Sequence, residues 1–289
     1  MHGFLLHNGS LHRTSEKLLS PGQVGLMNGW GVFSTMRVFD GVLFAFDRHW
    51  ARMKKDAALM RVPFPNSPDA LRADLMKLVE ANATPNATLR VCIVRNRGGL
   101  FEGEGITTDY DCIAFTTDIH KWGNDVTLAV QPNARHSACA FAGAKILSWS
   151  QNLTWLEMAR ERGFDEVILL NEHGSVSECT SANIFAATRS EVRTPPLSSG
   201  CLAGVTREIL LAESRAAGIQ VTEVDLSLED LYTSDAVFIT STTRELLPVR
   251  SIEGRNLSMD GQMRLRMQKA FAAYVDRYVA EARSRLAAV

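Results

Sequence analysis

Runs of β-branched and aromatic residues alternate with amphipathic stretches along most of this chain. A strand has a side-chain period of two and a helix a period of about 3.6, so neither kind of stretch folds well as the other. The clearest turn is Asp40-Gly41, which lies between the apolar runs 36–39 and 42–46. This dipeptide is typical of a tight β-hairpin. The alternation predicts a mixed α/β protein.

Capping residues mark where several helices begin and end. Ser67 followed by Pro68 predicts a helix that runs to Leu78. Gly163 predicts the end of a helix over 151–162. Further helices are predicted over 47–60, from Gly204 to about 217, and from about 259. Strands are predicted over 88–94, 111–117, 126–130, 167–170, 175–178, 183–187 and 236–240.

The length of 289 residues fits one large domain or two domains of medium size. The polar stretch 120–125 is a candidate linker, because it separates two series of apolar segments. We therefore expect an N-terminal domain over 1–119 and a C-terminal domain over 126–289.

Composition and charge exclude several classes of protein. A formal net charge of -1 gives no reason to expect nucleic acid or an anionic membrane as a partner. No run approaches the roughly 18 apolar residues of a membrane span, and the first residues lack the pattern of a signal peptide. The five cysteines are scattered, which argues against a disulfide framework or a zinc site. We expect a cytoplasmic protein without a metal.

Lys145 lies in a stretch of small and apolar residues, and the chain has no other lysine between Lys121 and Lys269. Burial lowers the pKa of an amine and makes its neutral, nucleophilic form accessible near neutral pH. An amine of this kind can form a Schiff base with a carbonyl compound. The alternative is a surface lysine whose stem lies on apolar neighbours while its charge stays in water.

Glu178 ends a predicted strand in a run of small, weakly polar residues. An ionised carboxylate beside a pyridine nitrogen keeps that nitrogen protonated, and the protonated ring is an electron sink. The alternative for Glu178 is an exposed turn residue.

Three segments could bind an anion. Val205 and Thr206 open a predicted helix, whose first N–H groups bind phosphate well. Ser241 and Thr242 follow directly on a buried strand, where hydroxyl groups suit a second anion contact. Arg52 could donate a charge-assisted hydrogen bond to the same anion. The alternatives are a simple helix cap, an ordinary polar turn and a solvated helix face.

The order of these features resembles the class-IV aminotransferases, which are pyridoxal-phosphate enzymes of fold type IV. The similar segments are 29–33 with 36–41, 49–53, 177–185, 194–207 and 236–249, and they span nearly the whole chain. The resemblance implies a small N-terminal α/β domain before a larger cofactor-binding domain. It also implies at least a homodimer, with the active site near the subunit interface.

The resemblance implies a role for each candidate residue. Lys145 would hold the cofactor as a Schiff base and shuttle a proton, and Glu178 would pair with the pyridine nitrogen. The phosphate would be held by Arg52, Val205, Thr206 and Thr242, with assistance from Ser241.

The substrate is left open by departures from the family's pattern. Ser34-Thr35 and the stretch 95–99 look like the aminodeoxychorismate lyases, whereas 240–243 is similar to the D-amino-acid transaminases and 231–251 to the branched-chain transaminases. A guanidinium matches a carboxylate bidentately. Candidate substrate residues are Phe33, Ser34, Arg37, Arg95, Arg97 and Arg244.

The activity we expect moves an amino group between an amino acid, of branched-chain or D-amino-acid type, and a 2-oxo acid by ping-pong Schiff-base chemistry. One alternative is a 4-amino-4-deoxychorismate lyase, which releases pyruvate and an aromatic amine. A second is a pyridoxal-phosphate-binding protein without catalytic activity.

Overall fold

The computed structural model describes residues 1–99 and 102–287. Contacts divide the chain into two compact units, each of which is described by itself below. The first unit contains residues 1–120, 145–149 and those from 277 onward, and the second contains residues 121–144 and 150–276. The short segment with Lys145 therefore groups with the N-terminal part of the chain, whereas the predicted linker over 120–125 remains a prediction.

The first unit is built on a six-stranded antiparallel sheet in the order β2-β1-β6-β5-β3-β4. Its strands are β1 (Phe4–His7), β2 (Ser10–Arg13), β3 (Gly31–Phe39), β4 (Val42–Leu43), β5 (Ala87–Arg95) and β6 (Tyr110–Thr117). Its helices are α1 (Val24–Asn28), α2 (Phe46–Leu59) and α3 (Pro68–Ala81).

The predicted hairpin joins β3 to β4. Asp40 and Gly41 have φ angles of 46° and 79°, so both central residues adopt the left-handed conformation of a type I′ turn. Along β3, which precedes the turn, alternate residues face the core, where Met36 and Val38 pack with Met53 of α2 and Leu75 of α3. Because strand side chains alternate, Phe33, Thr35 and Arg37 point to the opposite face of the sheet.

The second unit contains a nine-stranded mixed sheet in the order β12-β11-β10-β13-β14-β7-β8-β9, with β15 paired to β14. Its strands are β7 (Val126–Arg135), β8 (Glu166–Asn171), β9 (Val176–Cys179), β10 (Asn183–Ala187), β11 (Val192–Thr194), β12 (Val221–Glu223), β13 (Ala236–Ser241), β14 (Glu245–Ile252) and β15 (Arg255–Asn256). Its helices are α4 (Ser150–Glu161), α5 (Val205–Ala216), α6 (Leu228–Tyr232) and the first part of α7 (Gln262–Ala287), with a 3-10 turn at Leu197–Ser199.

Both faces of this second sheet are covered by apolar side chains. Val167 and Leu169 pack with Ala159 of α4 on one face. Their neighbour Ile168 belongs to a larger core that includes Leu231 of α6. Burial on both faces explains why β8 and β10 have continuous apolar runs instead of a clean alternation.

The predicted mixed α/β class is confirmed, and each predicted helix and strand has a counterpart in the structure. Several bounds differ: β3 begins at Gly31, α3 ends at Ala81, β7 continues to Arg135 and α7 begins at Gln262. Strands β1, β2, β11, β12, β14 and β15 were not predicted, and β14 contains Pro248, a residue type that is disfavoured in central strands. Its missing N–H is tolerated because parallel pairing with β7 begins only at Val249. Among the described residues, no helix is long and apolar enough to cross a membrane.

The Ser67 cap offers a test of the fold. Its hydroxyl accepts a hydrogen bond from the main-chain N–H of Ala70 at 3.1 Å. We expect Ser67→Ala to lower the free energy of unfolding by about 1 kcal/mol, because one N–H of α3 loses its acceptor. Ser67→Asp keeps an acceptor and should retain most of the stability. Urea denaturation followed by circular dichroism compares the two variants, and equal losses would contradict the cap.

Candidate active site

Lys145 is fixed to the first unit by main-chain hydrogen bonds. Its carbonyl oxygen accepts from the N–H of Phe33 at 3.2 Å, and the next residue, Ile146, forms an antiparallel bridge with Val32. Its own N–H donates to Oδ2 of Asp56 at 3.1 Å. The backbone of this residue is thus attached both to β3 and to a carboxylate of α2.

The side chain of Lys145 is half-buried against aromatic rings. Its Nζ lies 4.5 Å from the ring centroid of Phe33 and 5.9 Å from that of Trp149. The two rings meet edge to face at 6.2 Å. Sequence indicated small apolar neighbours, whereas the structure places the ammonium group on ring faces that attract a cation.

Asp56 contributes a carboxylate close to Lys145. Burial raises the pKa of Asp56, while the hydrogen bond from the Lys145 N–H and the charge of Arg52 oppose this shift. No motif marked this residue, but it stands four positions after Arg52 and seven after His49 on α2. These spacings place the three side chains on one face of the helix.

Arg90 joins Lys145 on the open face of the first sheet. It pairs with Thr35 in the β3–β5 register, and its guanidinium carbon lies 3.9 Å from the ring centroid of Phe33. Phe33 therefore touches both cations. Arg37 lies on the same face, with its guanidinium carbon 4.6 Å from the ring centroid of Phe39. Arg90 was not a sequence candidate, although its pairing with a β3 residue of this face could have pointed to it.

The geometry of Ser34 does not support the predicted contact with the substrate. Ser34 is 0% exposed, because its side chain points to the core face of β3. Its Oγ accepts from Nη2 of Arg52 at 2.7 Å and lies 2.7 Å from Nδ1 of His49. Ser34 thus links the buried histidine to the arginine that was predicted to hold phosphate.

His49 is neutral in this arrangement. Burial is the main reason that its pKa is well below 6.5, and the charges of Arg52 and Lys145 lower it further. Ser34 Oγ accepts from Arg52 and shares a second hydrogen bond with Nδ1 of His49, whose direction follows the tautomer of the neutral ring.

Arg95 and Arg97 are engaged in local structure. Arg95 lies five positions after Arg90 on β5 and so points to the opposite face of the sheet. It stacks on Trp30 at 4.1 Å and donates to carbonyl oxygens of Arg61 and Arg97. Arg97 donates to the Ile106 carbonyl and lies close to the carboxylates of Glu102 and Asp109. The structure does not bring either arginine to the face that carries Lys145.

In the second unit, Glu178 is a buried carboxylate with two fixed donors. Its Oε1 accepts from Nε of Arg135 at 3.0 Å, and its Oε2 accepts from the N–H of Leu202 at 3.0 Å. Asn152 holds the same arginine through its Oδ1. Sequence contained no signal for Arg135, because it lies far from Glu178 along the chain.

The N-terminus of α5 is shaped for an anion. Gly204 is its N-cap, and no side chain caps the helix. The first N–H groups of a helix have no acceptor within it, so those of Val205 and Thr206 are oriented to bind an anion. A Cβ atom at Gly204 would lie 2.1 Å from Oδ1 of Asn183, so a larger residue here would have to displace the Asn183 side chain.

The turn after β13 has a second set of hydroxyl groups. Ser241 Oγ accepts from the N–H of Arg244 at 3.2 Å, which closes the turn around Thr242. The buried Oγ1 of Thr240 has no hydrogen-bond partner among the described residues. The hydroxyl groups of Ser241 and Thr240 are therefore not fully used by hydrogen bonds within the described residues.

Arg244 is committed to a buried ion pair, and this geometry does not support the predicted contact with a substrate carboxylate. Its Nη2 donates to Oε2 of Glu166 at 2.9 Å, and its guanidinium lies 3.8 Å from the ring centroid of Trp122. Burial lowers the pKa of Arg244, and the charge of Glu166 opposes that shift.

These residues fit pyridoxal phosphate by the chemistry of their donors. The first unit supplies an amine, Lys145, and the half-buried guanidinium of Arg52. The second supplies the carboxylate of Glu178, the uncapped start of α5 and the unpartnered hydroxyl of Thr240. An amine, an acid for a ring nitrogen and donors for a phosphate are the groups that this cofactor requires.

Comparison with known proteins agrees with that chemistry. The amino-transferase class IV family model matches residues 31–252. The chain is 30% identical to the branched-chain-amino-acid aminotransferase of Escherichia coli K12, over 93% of this chain and 91% of that protein. It is also 30% identical to the D-alanine aminotransferase of Bacillus licheniformis, over 88% of this chain and 89% of that protein.

Solved structures show the same fold. A branched-chain aminotransferase from Escherichia coli matches with a TM-score of 0.86 and 26% identity, over 95% of each chain. A structure described as a hypothetical aminotransferase from Mycobacterium tuberculosis, in its PLP-bound form, matches with a TM-score of 0.83, over 94% of this chain and 98% of that one. Its identity is 23%, so this second likeness concerns the fold alone.

The lowered pKa of His49 predicts a pH dependence of stability. In the unfolded chain this histidine binds a proton near pH 6.5, whereas in the folded chain it stays neutral to well below that value. Stability should therefore fall as pH drops from about 6.5 to about 5, by up to about 1.4 kcal/mol per pH unit. His49→Gln should flatten this slope in urea denaturation, and His120→Gln, at an exposed position, should not. An unchanged slope in His49→Gln would contradict the assignment.

Proposed function

Because the chain belongs to the amino-transferase class IV family and is a pyridoxal-phosphate-dependent transaminase, we propose that it exchanges the amino group of a branched-chain or D-amino acid with a 2-oxo acid. The observation that carries the proposal is the open face of β3 and β5. There the amine of Lys145 and the guanidinium of Arg90 contact the ring of Phe33, and Arg37 lies on the same face of the sheet beside Phe39.

Lys145 is the catalytic residue in this proposal. When bound, pyridoxal phosphate supplies the electron sink that stabilises negative charge on the substrate Cα. Lys145 would hold the cofactor through Nζ. Once the substrate amine has displaced it, its free Nζ would take the proton from the substrate Cα and deliver it to the former carbonyl carbon of the cofactor, as transamination requires. The ring faces of Phe33 and Trp149 keep water away from that nitrogen. Asp56 keeps the main chain of Lys145 in place.

The remaining candidates hold the cofactor. Glu178 pairs with the pyridine nitrogen, and its hydrogen bonds from Arg135 and the Leu202 N–H keep the carboxylate oriented. The phosphate is bound by Arg52, Val205, Thr206, Ser241 and Thr242. The hydrogen bond from Arg52 to Ser34 reduces the number of positions that its guanidinium can adopt.

A substrate carboxylate is bound by Arg90, with Arg37 as a second guanidinium on the same face. The distance from Lys145 Nζ to the Arg90 guanidinium carbon is at most the sum of their 4.5 Å and 3.9 Å separations from the Phe33 centroid. A small amino acid that displaces Lys145 from the cofactor would direct its carboxylate towards Arg90. Phe33 contributes the apolar floor beneath it.

The lyase alternative loses its residue-level support in the first unit. It rested on the hydroxyl of Ser34 and on the stretch that contains Arg95 and Arg97. Ser34 is fully buried and hydrogen-bonded, and both arginines are held by carbonyl oxygens and ring or carboxylate contacts. These contacts favour the transaminase over the lyase.

Cell location and oligomeric state are also part of the proposal. A reducing cytoplasm is supported by five free cysteines, of which burial raises the pKa of Cys112 to about 12 and that of Cys201 to about 11. Thiols of this kind are poorly reactive and need no disulfide partner. A homodimer is supported by the resemblance to the family, and light scattering of the purified protein measures it.

Lys145→Ala tests the covalent attachment. We expect wild-type protein to retain cofactor after borohydride reduction, with the label on the peptide that contains Lys145, because only a lysine imine is fixed by the reductant. Lys145→Ala should lose this label and the amino-group half-reaction. Lys121→Ala, at an exposed lysine, is the matched control. Equal labelling of Lys145→Ala and wild type would overturn the assignment.

Arg90→Met tests the substrate site. We expect the KM for the amino acid to rise roughly 10- to 100-fold while cofactor affinity stays unchanged, since a charge-assisted hydrogen bond is worth about 1.5–3 kcal/mol. Arg13→Met is the control, because Arg13 also stacks on a phenylalanine of the same sheet, at 4.3 Å from the Phe4 ring centroid. Half-reactions with L- and D-forms of alanine, valine, leucine and glutamate identify the preferred substrate. Unchanged KM values for all of them in Arg90→Met would contradict the role.

A further inference from the structure

Glu166 is a fully buried carboxylate at the start of β8, and the described activity gives it no task. It is 0% exposed. Its Oε1 accepts from the hydroxyl of Thr180 and from the N–H of Val167, and its Oε2 accepts from the hydroxyl of Ser181 at 2.6 Å. Both hydroxyl groups belong to the short loop between β9 and β10, which begins two residues after Glu178.

Arg244 supplies the cation for this carboxylate and reaches a second segment at the same time. Its Nη2 donates to Glu166 at 2.9 Å, and its Nη1 donates to the Ser181 carbonyl at 3.3 Å. Its main-chain N–H holds Ser241 Oγ at 3.2 Å. The residue is part of the turn that follows β13, so its side chain ties this turn to the loop at Thr180.

We propose that Arg244 and Glu166 form a positioning pair, which sets the loop after Glu178 and the turn at Ser241 and Thr242 in a fixed mutual geometry. The inference rests on the proposed function, in which Glu178 contacts the ring nitrogen and the turn contacts the phosphate. One buried pair then fixes the distance between the two ends of the cofactor site within the second unit.

The same geometry argues against a contact between Arg244 and the carboxylate of the substrate. Its side chain is 5% exposed, and a substrate carboxylate would have to displace Glu166 from a contact of 2.9 Å. That exchange would leave Glu166 buried without its cation, which is unfavourable. The stacking on Trp122 at 3.8 Å holds the guanidinium plane in its present orientation.

The test uses the full-length holoenzyme and the double variant Glu166→Gln/Arg244→Met, which removes both buried charges together. We expect its dissociation constant for pyridoxal phosphate to rise about tenfold or more, as for other networks that orient binding groups. The ³¹P chemical shift of the bound phosphate should move as well. The KM for the amino acid at saturating cofactor should stay close to that of wild type.

Arg244→Lys is the second variant, in case the double variant does not fold. It keeps a cation for Glu166 but lacks the second nitrogen that reaches Ser181, so it should show a smaller change of the same two quantities. Arg162→Met is the matched control, since it loses the ion pair of Arg162 with Glu253 in the same unit without touching either segment. It should leave the dissociation constant and the ³¹P shift unchanged.

Three results distinguish the explanations. A raised cofactor dissociation constant with a shifted ³¹P signal, in either Arg244 variant and not in the control, supports the positioning pair. Unchanged cofactor binding with a raised KM for the amino acid would overturn the positioning pair and would indicate that Arg244 binds the substrate carboxylate. A wild-type protein that binds no pyridoxal phosphate would instead refute the proposed function, independently of Arg244.

Discussion

The attachment of residues 145–147 to β3 is the interaction on which the first unit's chemistry depends. Main-chain hydrogen bonds join Lys145 to Phe33 and Leu147 to Gly31, so a short segment from a distant part of the chain lies against a sheet strand. The Phe33 ring then becomes the surface shared by the amine and by Arg90. Without this pairing, the amine of Lys145 would belong to a loop side chain, and its distance to the guanidinium group of Arg90 would not be fixed.

Charges in both units are held by partners that are themselves fixed. Arg52 is held by Ser34, which is oriented by a neutral His49. Glu178 is held by Arg135, which Asn152 positions in turn. A buried charge without such contacts is expensive, and a charge with them loses little further freedom when a ligand binds. Each unit therefore carries rigid polar groups of the kinds that the proposed function assigns to the cofactor.

The sequence was sufficient for the longer helices and most of the central strands, and it singled out Lys145 by its unusual surroundings, while partners separated along the chain could not be predicted. Nothing near Arg244 indicates Glu166, which lies on another strand, so a cation after a phosphate turn looked like a substrate group. Ser34 is a different case, because the period of two along β3 places its side chain on the opposite face of the sheet from that of Phe33. Alternation alone would have assigned it to the core, together with Met36 and Val38.

Helix α2 carries His49, Arg52 and Asp56 on a single face, one turn apart. Its residues cannot be inserted or deleted singly, because one added residue rotates every later side chain by about 100°. The proposed phosphate contact of Arg52 and the support of the lysine backbone by Asp56 therefore depend on the same helical register. An insertion is easier to accommodate at the Asp40-Gly41 tip, where nothing lies within 4 Å of an added Gly41 Cβ atom. We therefore expect insertions and deletions in this unit at its turns and a constant number of residues between His49 and Asp56 in α2.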